Sequence, residues 1–174
     1  MRKGEVFLAL AVVIVVAGVG WVAIMAQQPV GGSETYAEAS RFLFNAQRAS
    51  DPVEQEALLQ QAVVLYSRVL REYPEHVNAY VKRGTAYAAL GAWERAVADY
   101  NAALRLDPTC SEALMQRGIA YEALGNARGA LLDYEAFLSI TEDAPYGGRL
   151  TREREAIQHK LGTLRQQEQV AKAP

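Results

Sequence analysis

Chemistry in a protein begins with nucleophiles, acids, bases and metal ligands brought within reach of one another, and this chain offers few of them. His76 and His159 are its only histidines, and neither stands among residues with metal-ligand spacing. Glu155 and His159 lie one helical turn apart, but a metal site needs three or four ligands, so the pair reads as a solvated helix face. Cys110 is the only cysteine; it cannot form an internal disulfide, and its place in a turn suggests an inert thiol. Gly18-Val19-Gly20 sits in an apolar run and follows no strand, so it is no nucleotide loop. Letters alone do not decide a Ser/His/Asp triad, yet no nucleophile elbow occurs. The residues point to no catalytic, cofactor-binding or metal site, and the chain is expected not to be an enzyme.

One charged pattern does recur. Arg83 and Arg117 are each followed sixteen residues later by an aspartate, Asp99 and Asp133. Arginine suits a carboxylate ligand in a groove, but both partners return together, which favours ion pairs between packed helices.

What must position these pairs is a repeat. RGTAYAALGAWERAVADY, residues 83–100, returns 34 residues later as RGIAYEALGNARGALLDY, residues 117–134. Ala62, Ala96 and Ala130 fall in register, as do Tyr66, Tyr100 and Tyr134, and Leu70, Leu104 and Leu138. Gly84 and Gly118 stand inside helical periodicity at a propensity cost of about 1 kcal/mol each, so they mark a close approach of two helices. Gly91 and Gly125, each after a leucine, fit the left-handed residue that ends one helix before the next. Pro74 and Pro108 close the first two units.

The resulting organisation is a set of helical hairpins, about 77–90 with 93–106 and about 111–124 with 127–140. Asp51-Pro52-Val53-Glu54 reads as an N-cap, a first-turn proline and a capping-box glutamate, opening a helix over about 52–72. Its partner is a divergent helix over about 34–49, without the repeat's glycine. Ala144 to Gly148 breaks the run. A charged helix over Thr151–Gln169 follows, with Ile157, Leu161 and Leu164 as its buried stripe, and caps the open end of the array.

These residues resemble the tetratricopeptide repeat: Tyr80, Arg83-Gly84, Tyr87, Ala96, Tyr100 and Pro108, then Leu114, Arg117-Gly118, Tyr121, Ala130 and Tyr134. Arginine replaces the pattern's leucine both times, and Glu142 stands where a second closing proline belongs. The match is strong over 77–140 and half-complete over 54–74. The resemblance implies stacked hairpins with a concave face, lined by the first helix of each pair, that takes an extended peptide or a partner's helix. The positions it implies for that groove are Asn78, Val81, Lys82, Thr85 and Ala88, then Glu112, Met115, Gln116, Ile119 and Glu122. With one lysine beside two acids, this set does not suit the acidic chaperone tails that some family members grip; a basic or apolar segment fits it better.

Composition bounds the partners. A net charge of −2 gives no broad basic field for nucleic acid. Residues 6–26 run without a charge after Arg2 and Lys3, long enough at about 1.5 Å per residue to cross a bilayer. The expectation is therefore a retained single-pass anchor in contact with the lipid bilayer, N-terminus cytoplasmic and the remainder extracytoplasmic, in a periplasmic setting, with a cleaved signal peptide as the rival reading, against which stand the length of the apolar run and Ile24 where a small residue would sit. The whole chain is expected to be all-α: an anchor over 1–26, a linker over 27–33, and a solenoid of about three antiparallel pairs over 34–169, then a tail over 170–174. Within the solenoid the divergent pair takes 34–74, the repeats 77–108 and 111–142, and the capping helix 150–169. Its expected role is a non-enzymatic scaffold or assembly factor holding a partner protein, with no small-molecule substrate. A permanent subunit of a membrane complex and a chaperone-like accessory for secreted proteins are the alternatives.

Overall fold

The structure, a computed structural model, describes residues 31–142 and 148–171. Its elements are helices α1 (Gly31–Arg48), α2 (Pro52–Glu72), α3 (Val77–Ala89), α4 (Trp93–Leu106), α5 (Ser111–Ala123), α6 (Ala127–Ile140) and α7 (Gly148–Ala171).

Local chemistry sets the helix ends. Asp51 accepts a hydrogen bond from the Val53 N–H at 3.0 Å, with Pro52 in the first turn of α2 where its missing donor costs nothing. His76 Nδ1 accepts from the Ala79 N–H at the start of α3, and Asn126 Oδ1 accepts from the Gly129 N–H at the start of α6. Gly91 and Gly125 take φ of 74° and 72°. Around them the Ala92 N–H donates to the Tyr87 carbonyl and the Asn126 N–H to the Tyr121 carbonyl, at 2.9 and 2.8 Å, the bonds of a Schellman stop. Leu90 and Leu124 serve as C-caps, so α3 and α5 end one residue before the expected bounds. Gly148 opens α7 instead of breaking the chain.

The helices pack as two rows. Each even-numbered helix of a repeat lies against the odd one before it, and the next odd helix closes over both. Three apolar clusters result. Ala39, Leu43 and Ala46 of α1 meet Leu59, Ala62 and Tyr66 of α2; Val81 meets Tyr100 and Ala113 across α3, α4 and α5; Leu114, Tyr134 and Phe137 meet Ile157, Leu161 and Leu164 of α7. A core shared only between neighbours is the mark of a linear array.

The membrane expectation is corrected here. Among the described residues no helix is long and apolar enough to cross a membrane. The three longest helices all carry charges, Glu34 and Arg48 in α1, Glu54 and Arg71 in α2, and Arg152 to Glu155 in α7. Residues 6–26, on which the anchor expectation falls, lie outside the described residues. Among the described residues the fold is an all-α array of seven helices, in place of the expected membrane anchor with its bilayer contact and extracytoplasmic placement.

Glycine supplies the tightest contact. A Cβ on Gly84 would lie 2.6 Å from Tyr100 Cε1, and Gly118 meets the Tyr134 ring in the same way, whereas Gly162 of α7 has nothing within 4 Å. Gly84→Ala is therefore expected to lower the thermal midpoint, the overpacking cost of about 1–3 kcal/mol outweighing the helix-propensity gain of about 1 kcal/mol. Gly162→Ala shows that gain alone and raises the midpoint. Thermal unfolding followed by far-UV circular dichroism checks both, and a Gly84→Ala chain as stable as Gly162→Ala would remove the close-approach explanation.

Candidate functional site

The candidate surface is the row of odd-numbered helices. Lys82 of α3 donates to Glu112 of α5 at 2.7 Å. The charges of both reach the Tyr36 phenol of α1, which is raised chiefly by burial, with Lys82 opposing and Glu112 adding to the rise. Side chains from α1, α3 and α5 thus meet on one face. At the other end Glu122 of α5 accepts from the Tyr134 hydroxyl and from Lys160 of α7.

Beneath this face runs a second layer of fixed charge. Arg83 forks onto Asp99 at 2.8 and 2.7 Å and gives a third bond to Ser67 of α2. Arg117 does the same with Asp133, at 2.7 and 2.6 Å, and with Asn101 of α4. The aspartates are 5% and 4% exposed. Each guanidinium is held further above its ordinary value, first by its hydrogen bond to the aspartate and against the pull of burial. These arginines clamp three helices together, and their bonding leaves them no fork for a ligand.

The expected groove residues divide. Asn78 is exposed, and Lys82, Thr85, Ala88, Glu112, Met115, Gln116, Ile119 and Glu122 are half-buried. Val81 is the correction: at 1% exposure it belongs to the core with Tyr100, Ala113 and Ala120. It fails as a groove residue because α5 packs over that side of α3. Reading residues singly also missed the third member of each arginine clamp. Ser67 and Asn101 stand 34 residues apart, so a polar letter in the repeat register was the available signal. Lys160 had no such signal, since α7 is out of register with the repeats.

Tyr66, Tyr100 and Tyr134 repeat at one position and differ at their hydroxyls. Tyr66 and the Ser40 hydroxyl lie 3.0 Å apart and share a hydrogen bond. Tyr134 donates to Glu122. Tyr100 is buried and completes no hydrogen bond of normal geometry; the Thr85 hydroxyl beside it donates its own proton to the Val81 carbonyl at 3.0 Å, which leaves its lone pairs facing outward as acceptors, and it eases the rise of the Tyr100 pKa. Burial pushes both Tyr66 and Tyr100 up to about 12, and burial followed by the Glu122 bond pushes Tyr134 up as well.

Among the described residues no group of three or more His, Cys, Asp or Glu is placed to hold a metal. The Cys110 thiol is raised by burial, which keeps it protonated and unreactive. A depression of about 610 Å³ wraps the α2–α3 turn, but its lining is the consecutive run Glu72 to Asn78, the outside of a corner and not a cleft.

Two family profiles, both described as tetratricopeptide repeat, match residues 57–109 and 93–158. Together they span more than half of the 174 residues. No curated protein matches the chain by sequence. Among solved structures it is similar to the TPR2B domain of yeast Sti1 in a pHsp70 complex, at 22% identity and TM-score 0.64, covering 77% of this chain and 98% of that one. The TPR domain of Sgt2 from Aspergillus fumigatus gives 21% and 0.62 over 82% and 85%. The first TPR of Spaghetti (RPAP3), bound to the HSP90 peptide SRMEEVD, gives 23% and 0.52 over 73% and 95%. At these identities the likeness is one of fold.

The tyrosines and the clamps each generate an expectation. A phenol raised in the folded state contributes its full stability below the unfolded value of 10 and loses it as pH climbs from there towards about 12, at about 1.4 kcal/mol per pH unit for each residue. Denaturant unfolding at stepped alkaline pH should show this fall, and Tyr100→Phe should make it shallower; an unchanged slope would contradict the burial. Arg117→Leu leaves Asp133 buried without its partner and is expected to cost about 3–5 kcal/mol, read from the same unfolding curves at neutral pH.

Proposed function

Because the chain belongs to the tetratricopeptide-repeat family, we propose that it is a non-enzymatic interaction module, a scaffold or assembly factor that holds a segment of a partner protein against the concave row of α3 and α5. What supports this reading is that Thr85 and Ala88 of α3 and Met115 and Ile119 of α5 are each only half-buried. Met115 and Ile119 pack at the edge of a core cluster without being sealed in it, which leaves apolar area for a partner to cover. The arginine clamps below hold these helices in place, so a partner meets a preformed surface and little ordering cost is left for binding. The Sti1 and Spaghetti domains, seen with pHsp70 and with an HSP90 peptide, are precedents for a fold of this kind holding protein segments.

The test places a photo-crosslinking residue at Met115 in the full-length chain, with Leu132 as control. Leu132 is 60% exposed on α6, in the row of even-numbered helices. Irradiation in the native cells is expected to give a discrete adduct from position 115 and none from 132. Met115→Glu should remove the complex while leaving the unfolding free energy within about 0.5 kcal/mol of wild type. Equal adducts from both positions, or unfolding by Met115→Glu, would contradict the assignment of this face.

A further inference from the structure

Apart from the row of α3 and α5, we infer that the outer face of α1 and α2 is a self-association surface. A second copy of this chain lays its own α1 antiparallel against it across a two-fold axis, with Glu38 of each copy on Arg41 of the other.

The repeat register explains why this face is open. Arg83 joins Asp99 to Ser67 of the preceding hairpin, and Arg117 joins Asp133 to Asn101 in the same way, so the aspartate position faces back along the array. The residue 34 positions before Asp99 is Leu65, and the one 34 before Arg83 is Ala49. The first hairpin therefore has no clamp, and carries an apolar side chain where the later ones hold a paired charge. Leu65 lines a groove of about 500 Å³ with Glu38 and Phe42 of α1 and Ala57, Gln61 and Val64 of α2. Val64 is 65% exposed there. The opposite end of the array is closed by Ile157, Leu161 and Leu164 of α7, whereas among the described residues no helix precedes α1.

Charge on α1 selects the occupant. Its outward stripe, at helical spacing, runs Glu34, Ala37, Glu38, Arg41, Asn45 and Arg48, all exposed. Acids fill the first half and bases the second. Among the described residues neither Glu38 nor Arg41 has an ion-pair partner, although both border the same groove beside Phe42. A stripe ordered in this way is complementary to itself run in the opposite direction. A two-fold axis crossing α1 between Glu38 and Arg41 brings each onto its counterpart twice, and sets the small Ala37 of one copy opposite Phe42 of the other. The same patch then serves both copies, and the contact closes at two. A wholly acidic or wholly basic helix would instead meet like charge along half its length. The apolar walls of the groove supply the burial that exposed ion pairs alone would not.

The experiment labels two batches of the full-length chain at the C-terminus, one with a donor and one with an acceptor fluorophore, and follows energy transfer on mixing over a dilution series. Sedimentation velocity on the same samples gives the number of copies. Wild type is expected to form a two-copy complex that comes apart on dilution. Glu38→Arg and Arg41→Glu, each alone, should weaken it roughly tenfold or more, because either change replaces two attractions with two repulsions. Mixing these two variants should restore the complex, since each then supplies the sign that the other lacks, and a chain carrying both changes should associate as wild type does. Both positions are exposed, so all three variants should keep the wild-type thermal midpoint. A single copy at every concentration would overturn the inference. Association that neither single change alters would place the contact on another segment of the chain and overturn it as well. Loss in both variants without restoration on mixing would show that these charges face a different occupant, and the antiparallel pairing would fall.

Discussion

With no side-chain carbon at Gly84 or Gly118, the rings of Tyr100 and Tyr134 come into the space that carbon would fill, and the spacing of each hairpin is set by that contact. Dispersion rewards such approach only when no gap remains. Ala96 and Ala130, wholly buried on the facing helices, keep the same separation along the rest of the hairpin. A larger residue at any of the four would overpack the contact and push the paired helices apart.

The arginine clamps extend this spacing from one hairpin to the next. A guanidinium is planar with its donors in a rigid fork, so Arg83 fixes the angle of α4 through Asp99 and that of α2 through Ser67. The pair is buried enough to be geometrically exacting and is fully hydrogen-bonded, which offsets the cost of taking its charges from water. Together the ring contact and the fork explain why the repeat keeps glycine, tyrosine, arginine and aspartate, while the letters on the odd-numbered row vary: Thr85 against Ile119, Ala88 against Glu122.

That division also decided what could be read from the letters. Glycine, proline and the 34-residue register located the breaks between helices because each acts locally, and the Arg–Asp recurrence pointed to a pair because both members moved together. Val81 was misplaced because its burial comes from α5, a helix of the next repeat, which no periodicity within α3 reports. The Lys160–Glu122 contact joins residues 38 apart across a helix outside the register.

The position held by Ser67 and Asn101 continues 34 residues on as Glu135, and there Arg165 of α7 donates to it at 2.6 Å. The end of the array therefore presents to α7 the same kind of docking point that α2 and α4 present to α3 and α5. A further 34-residue unit placed between α6 and α7 would therefore meet an acceptor at the register position that the earlier repeats use. Lengthening the array this way would extend the row of odd-numbered helices, so the length of that row follows the number of units.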